Sequence, residues 1–93
     1  MFERVLKAMR EKIRRRHYVM TLHAEEEMDN DDLTIYDVEH GILTGKIIER
    51  QKEKVSWEGK YRIRGRSLEG DGVEIIARLG ATGQVVIITV YRF

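Results

Sequence analysis

Three arginines, Arg62, Arg64 and Arg66, alternate with Ile63 and Gly65. In an extended strand all three side chains leave the same face, spaced about 7 Å apart. Such a row suits consecutive phosphates of single-stranded RNA, or the extra charge that develops on a phosphate under attack. The plainer alternative is a solvated face balanced by Glu49 or Glu74 on neighbouring strands. With no acid between them the three cations repel one another unless an anion is near, which favours the functional reading.

His23 is the candidate for proton transfer, because imidazole titrates near neutral pH. Glu26 and Glu27 follow at about one helical turn and could keep it charged or oriented. A histidine near a helix start serves as often as a structural donor to a carbonyl. His17 and His40 are weaker candidates. The three His have no metal-ligand spacing and the chain has no Cys, so no metal or cofactor is expected. Tyr91 could donate to a phosphate and Arg92 clamp it, although packing with the hydroxyl at a rim is the commoner fate of such a tyrosine. Trp57, in Ser-Trp-Glu-Gly, is a stacking platform for a base or a small hydrophobic lid. Arg14, Arg15, Lys46 and Arg78 complete the cations that could meet a nucleic-acid backbone; for the Arg14 to Arg16 run, complementing the helix dipole is the stronger reading.

These residues sit in strongly segregated charge. Met1 to His23 carries seven basic and two acidic residues, Ala24 to Glu39 eight acidic and none basic, and the remainder ten basic against six acidic. The net charge of +1 therefore conceals separate cationic and anionic blocks. A chain of 93 residues makes one domain. The longest uncharged run near the end, Leu79 to Tyr91 apart from nothing but neutral side chains, is too short for a helical membrane span, and no apolar signal-peptide core opens the chain. A cytoplasmic protein is the expectation, since small secreted domains usually rely on disulfides.

The elements that must position the chemistry follow from periodicity. Phe2, Val5, Leu6, Met9 and Ile13 mark an amphipathic helix to about Arg16. His17 to Met20 reads as an extended link. Thr21 caps a second helix to about Asp29, with Ala24 and Met28 turned inward. Thr34 and Asp37 resemble a capping box for a third helix whose stripe is Ile35, Val38, Ile42 and Leu43 and which Gly45 ends. Four strands follow, at Lys46–Lys52, Tyr61–Glu69, Val73–Leu79 and Gln84–Phe93, joined by short polar or Gly-rich turns. The last is the most apolar and reads as the central strand, covered on both faces. The expectation is an α+β fold, with two to three N-terminal helices on one face of a roughly four-stranded antiparallel sheet.

Leu22-His23-Ala24 with Met28, Leu33 to Val38 leading into Gly45-Lys46-Ile47-Ile48-Glu49, Tyr61-Arg62-Ile63-Arg64-Gly65, and Ile88-Thr89-Val90-Tyr91 together resemble the small bacterial family known as domain of unknown function 4258. The resemblance covers about Tyr18 to Arg92. That family is similar to the RelE and MqsR ribonuclease toxins, which implies a RelE-like fold, RNA as substrate and a zinc-finger antitoxin as partner. Many members carry a second His in the strand matched by Val73–Leu79; this chain has Glu74 near that place. The resemblance implies a toxin-like endoribonuclease acting by metal-independent transesterification. His23 would move the proton, with Arg62, Arg64, Arg66 and Tyr91 around the phosphate. The alternative is a non-catalytic module that binds RNA or protein on the same face.

Overall fold

The computed structural model describes residues 1–54 and 58–93. Its elements run α1 (Glu3–Arg14), β1 (Tyr18–Met20), α2 (Leu22–Asn30), α3 (Ile35–Thr44), β2 (Lys46–Gln51), β3 (Lys60–Arg66), β4 (Gly72–Leu79) and β5 (Val85–Arg92). The fold is α+β, with three helices and one five-stranded sheet in the order β1-β5-β4-β3-β2.

The sheet is mixed rather than wholly antiparallel, because the stretch expected as a link is a strand. Tyr18, Val19 and Met20 pair in parallel with Val85, Val86 and Ile87. This pairing joins segments far apart in the chain, so no local turn signal announces it. It also moves the centre of the sheet: β1 takes the outer side of β5, and β4 rather than β5 lies in the middle.

Strand alternation sorts the side chains. Tyr61 and Ile63 of β3, Val73, Ile75 and Ala77 of β4, and Val85, Ile87 and Val90 of β5 are buried together with Met9, Ile13, Ala24, Val38 and Ile42 from the helices. The opposite face bears Arg62, Arg64 and Glu74, and among the described residues no helix packs on it, so β5 is covered by helices on one face only. A bulge between Ile76 and Ala77 in the β4–β5 ladder, where Ile88 is the extra residue, keeps both ends in phase with the core.

Two contacts place α3. Gly41 and Gly65 meet backbone to backbone: a Cβ on Gly65 would lie 1.9 Å from the Gly41 carbonyl oxygen. The end of α3 is tied to the end of β3, with Arg66 N–H donating to Thr44 Oγ1 at 3.1 Å and His40 Nδ1 2.8 Å from the Arg66 carbonyl. At its start, Thr34 Oγ1 accepts from Asp37 N–H and Asp37 Oδ2 accepts from Thr34 N–H, a complete capping box. The hydrogen bond from the Thr34 backbone, despite some burial, holds the Asp37 carboxyl below its ordinary value of 3.8. Its contribution is thus present above that value and is lost as pH falls through the lowered pKa. Thr34→Ala should cost about 1 kcal/mol, and an unchanged melting temperature at neutral pH would show the box contributes nothing.

Helix α2 runs along the edge of β5 beyond the reach of β1. Thr21 N–H donates to Ile87 O and Thr21 Oγ1 to Ile88 O, while Glu27 Oε1 accepts from Val90 N–H and Asp31 Oδ2 from Arg92 N–H. Side chains of the acidic segment thereby serve as the missing neighbour strand.

Candidate nucleic-acid interface

On the helix-free face the ladders bring four side chains into one row across the sheet: Tyr91 on β5 faces Glu74 on β4, Glu74 faces Arg64 on β3, and Arg64 faces Lys46 on β2. The adjoining row sets Ile76 beside Arg62 and Arg62 beside Glu49. Glu74 is the organiser. Its side chain is 1% exposed, and its two oxygens accept from Arg62 Nε and Arg64 Nε, each at 2.7 Å. Burial pushes the Glu74 carboxyl up, but the hydrogen bonds and charges of Arg62 and Arg64 outweigh it and leave the group below its ordinary range. It is therefore ionised at neutral pH and too enclosed to take a proton from a substrate.

The bare arginine row expected from the alternation is thus corrected in its electrostatics. Arg62 and Arg64 share the Glu74 carboxylate, and Arg62 Nη1 lies 3.3 Å from Glu49 Oε1 as well. The acid comes from neighbouring strands rather than from between the arginines. Arg66 is held differently, its Nη1 donating to the Gly70 carbonyl at 3.2 Å. The face still carries a surplus of positive charge. Lys46, Lys60, Arg62, Arg64, Arg66 and Arg78 stand against Glu49, Glu53 and Glu74.

Both Nε donors of the arginine pair are consumed by Glu74, while the terminal nitrogens of Arg64 and the Lys46 ammonium make no hydrogen bond or ion pair among the described residues. They border a shallow groove of about 260 Å³ lined by Thr44, Lys46, Ile48, Arg64, Arg66 and Phe93. Phe93, which the sequence reading did not single out, lies with its ring centroid 4.8 Å from the Arg64 guanidinium carbon. It reaches there across Gly72, where a Cβ would stand 2.7 Å from the ring. The alternation that puts Tyr91 on this face also puts Phe93 there, and that was its one signal in the sequence.

The other candidates are distributed around the molecule. Tyr91 is half-buried beside Glu74. Arg78 is on the open face but is held 2.9 Å from Glu53, which follows β2 and reaches over to β4. Arg14 and Arg15 are exposed at the end of α1. Arg92, as the neighbour of Tyr91, points to the helix side. There its Nη1 lies 2.9 Å from Asp71 and its Nη2 donates to the Asp31 carbonyl, so it fastens the strand to the loop after α2. Trp57 lies outside the described residues.

His23 stands apart from the arginines. Its Nε2 is 3.2 Å from Glu27 Oε1, and its side chain is 65% exposed. Glu27, four residues on, is its partner rather than Glu26. From β5, whose edge α2 covers, β3 is two strands inward, roughly 10 Å. Among the described residues no three His, Asp or Glu side chains gather where they could hold a metal ion, and no helix is long and apolar enough to cross a membrane.

Comparison with curated proteins and with solved structures gives no match. The family described as "Domain of unknown function (DUF4258)" matches residues 20–92, which take in every element from the end of β1 to β5 and leave out α1. The row from Tyr91 to Lys46, the buried Glu74 and the His23–Glu27 pair all fall inside that span, and this chain belongs to the DUF4258 family.

Proposed function

We propose that this protein binds single-stranded RNA through the helix-free face of its sheet. The observation that carries the reading is the row Tyr91–Glu74–Arg64–Lys46, where a buried carboxylate fixes the arginines while Lys46 and the ends of Arg64 keep their donors free for phosphate. Pre-positioned guanidinium groups lose little conformational freedom on binding, and the surplus of cations attracts a polyanion over a distance. The acidic α2 lies at the β5 edge, away from β2 and β3, so it does not oppose that approach.

A second reading, a toxin-like endoribonuclease, is favoured by the His23–Glu27 pair and by the resemblance to RelE and MqsR toxins. In it a ribose 2′-hydroxyl would attack the adjacent phosphorus, His23 would take its proton and pass one to the departing 5′-oxygen, and the products would be a 2′,3′-cyclic phosphate and a 5′-hydroxyl. RNA would have to reach from the arginine row to the α2 edge, past Tyr91. An antitoxin, of zinc-finger type on that resemblance, would neutralise the cationic face.

One experiment separates the readings. Purified protein is mixed with a labelled single-stranded RNA in chelator, and both retention and cleavage are followed over a salt series. RNA binding predicts retention that falls steeply with salt, with Lys46→Ala lowering the log–log slope by about 0.7. Discrete cleavage that His23→Ala abolishes would establish the nuclease. Absence of both salt-dependent retention and cleavage would remove both readings.

A further inference from the structure

The groove beside Phe93 is the most specific feature of the open face, and a phosphate-binding row alone does not account for it. An aromatic ring on a cationic face has no need to be there for charge, and Phe93 is 60% exposed despite its contact with Arg64. Its place depends on Gly72 lacking a side chain, since the ring occupies the space a Cβ would take. Around it stand the ammonium of Lys46, the guanidinium groups of Arg64 and Arg66, the Thr44 hydroxyl and the Ile48 side chain. The combination is a flat π-surface, a guanidinium 4.8 Å from its centroid, and cations at the rim.

We propose that this groove receives one nucleotide of a single-stranded RNA, with its base stacked on the Phe93–Arg64 platform and its flanking phosphates on Lys46 and Arg66. The volume of about 260 Å³ falls just short of the roughly 300–1,000 Å³ of small-molecule sites, which leaves room for one nucleotide unit rather than a longer ligand. Stacking on an aromatic ring tolerates any base, because every base has a π-face, so the site gives affinity without strong sequence choice. This inference rests on the RNA-binding reading and adds to it a position, a contact type and a residue.

The test compares a hexa-adenylate RNA with a fully abasic hexamer of the same backbone, binding to the wild type and to Phe93→Leu, Phe93→Tyr and Lys46→Ala. Phe93→Leu should weaken hexa-adenylate about tenfold or more, leave its salt slope unchanged, and leave the abasic hexamer unaffected. Phe93→Tyr, which keeps the ring, should restore binding. Lys46→Ala should weaken both oligomers alike and lower the slope. Thermal melts of each variant separate a lost platform from a lost fold. If the wild type binds hexa-adenylate and Phe93→Leu binds it equally well, the groove proposal falls while RNA binding stands. Failure of the wild type to bind either oligomer removes both.

Discussion

In a thermal melt Gly65→Ala should be less stable than the wild type by about 3 kcal/mol or more, a large part of the roughly 5–15 kcal/mol that holds a small domain together. Strand propensity alone gives the opposite sign, since alanine in a strand loses less freedom on folding than glycine, by about 0.5–1 kcal/mol. The sign is decided by what the new methyl would meet. Its nearest neighbours are Gly41 O at 1.9 Å and Gly41 C at 2.7 Å, backbone atoms of a helix pinned at both ends by the capping box and by Arg66. A flexible side chain could swing away; this helix has to move as a body, opening the core around Val38 and Ile42. Gly41→Ala is the milder partner, because its Cβ would meet the ends of Val73 and Ile75 side chains at 2.7 and 2.8 Å. A neutral or stabilised Gly65→Ala variant would mean that α3 does not approach β3 as closely as described.

The second large effect concerns Glu74. Replacing both Arg62 and Arg64 by methionine leaves its carboxylate enclosed without a counter-charge. The expected loss is about 3 kcal/mol at neutral pH, the low end for breaking a buried pair, because both arginines are partly solvated already. The sharper signature is the pH dependence. In the wild type the Glu74 pKa is lowered, so its stabilisation is complete above the ordinary value of 4.5 and is lost as pH falls through the lowered one. In the double variant burial acts unopposed and raises the pKa. Stability then increases as pH falls from neutral toward the ordinary value, reversing the slope. Denaturant melts between pH 4 and 8 (on the order of one-unit steps suffices for a shift of this kind) would read it directly; parallel curves for the two proteins would show that the arginines do not hold the carboxylate ionised.

Local rules made most of the elements legible. Thr21, Thr34 with Asp37, and Gly45 marked the helix limits, because capping chemistry is decided within one turn of chain. The alternation Tyr61-Arg62-Ile63-Arg64 assigned the faces of β3 correctly, since a period of two follows from strand geometry. What was not legible is long-range. Tyr-Val-Met at positions 18–20 becomes a strand only because β5 offers an edge, and nothing within those three residues specifies that partner. In the site, the choice between Glu49 and Glu74 as the balancing acid depended on hairpin register, and the structure uses both. Arg92 shows the same limit. Its parity in the strand places it beside Asp31 and Asp71, contacts made by loops that nothing next to it in the chain specifies.

The parallel pairing of β1 with β5 also bears on how the chain is made. Tyr18 and Val85 are partners, so β1 waits for a strand synthesised well after it. Until β5 leaves the ribosome, β1 has no neighbour, α2 has no strand edge to satisfy with Thr21 and Glu27, and one side of β4 is unpaired. Helices can form during that interval, whereas closing the sheet requires bringing distant segments together at a considerable entropic cost. Assembly is therefore decided by the arrival of β5, and a chain made only as far as β4 presents an open β4 edge, the state in which a holding chaperone would find it.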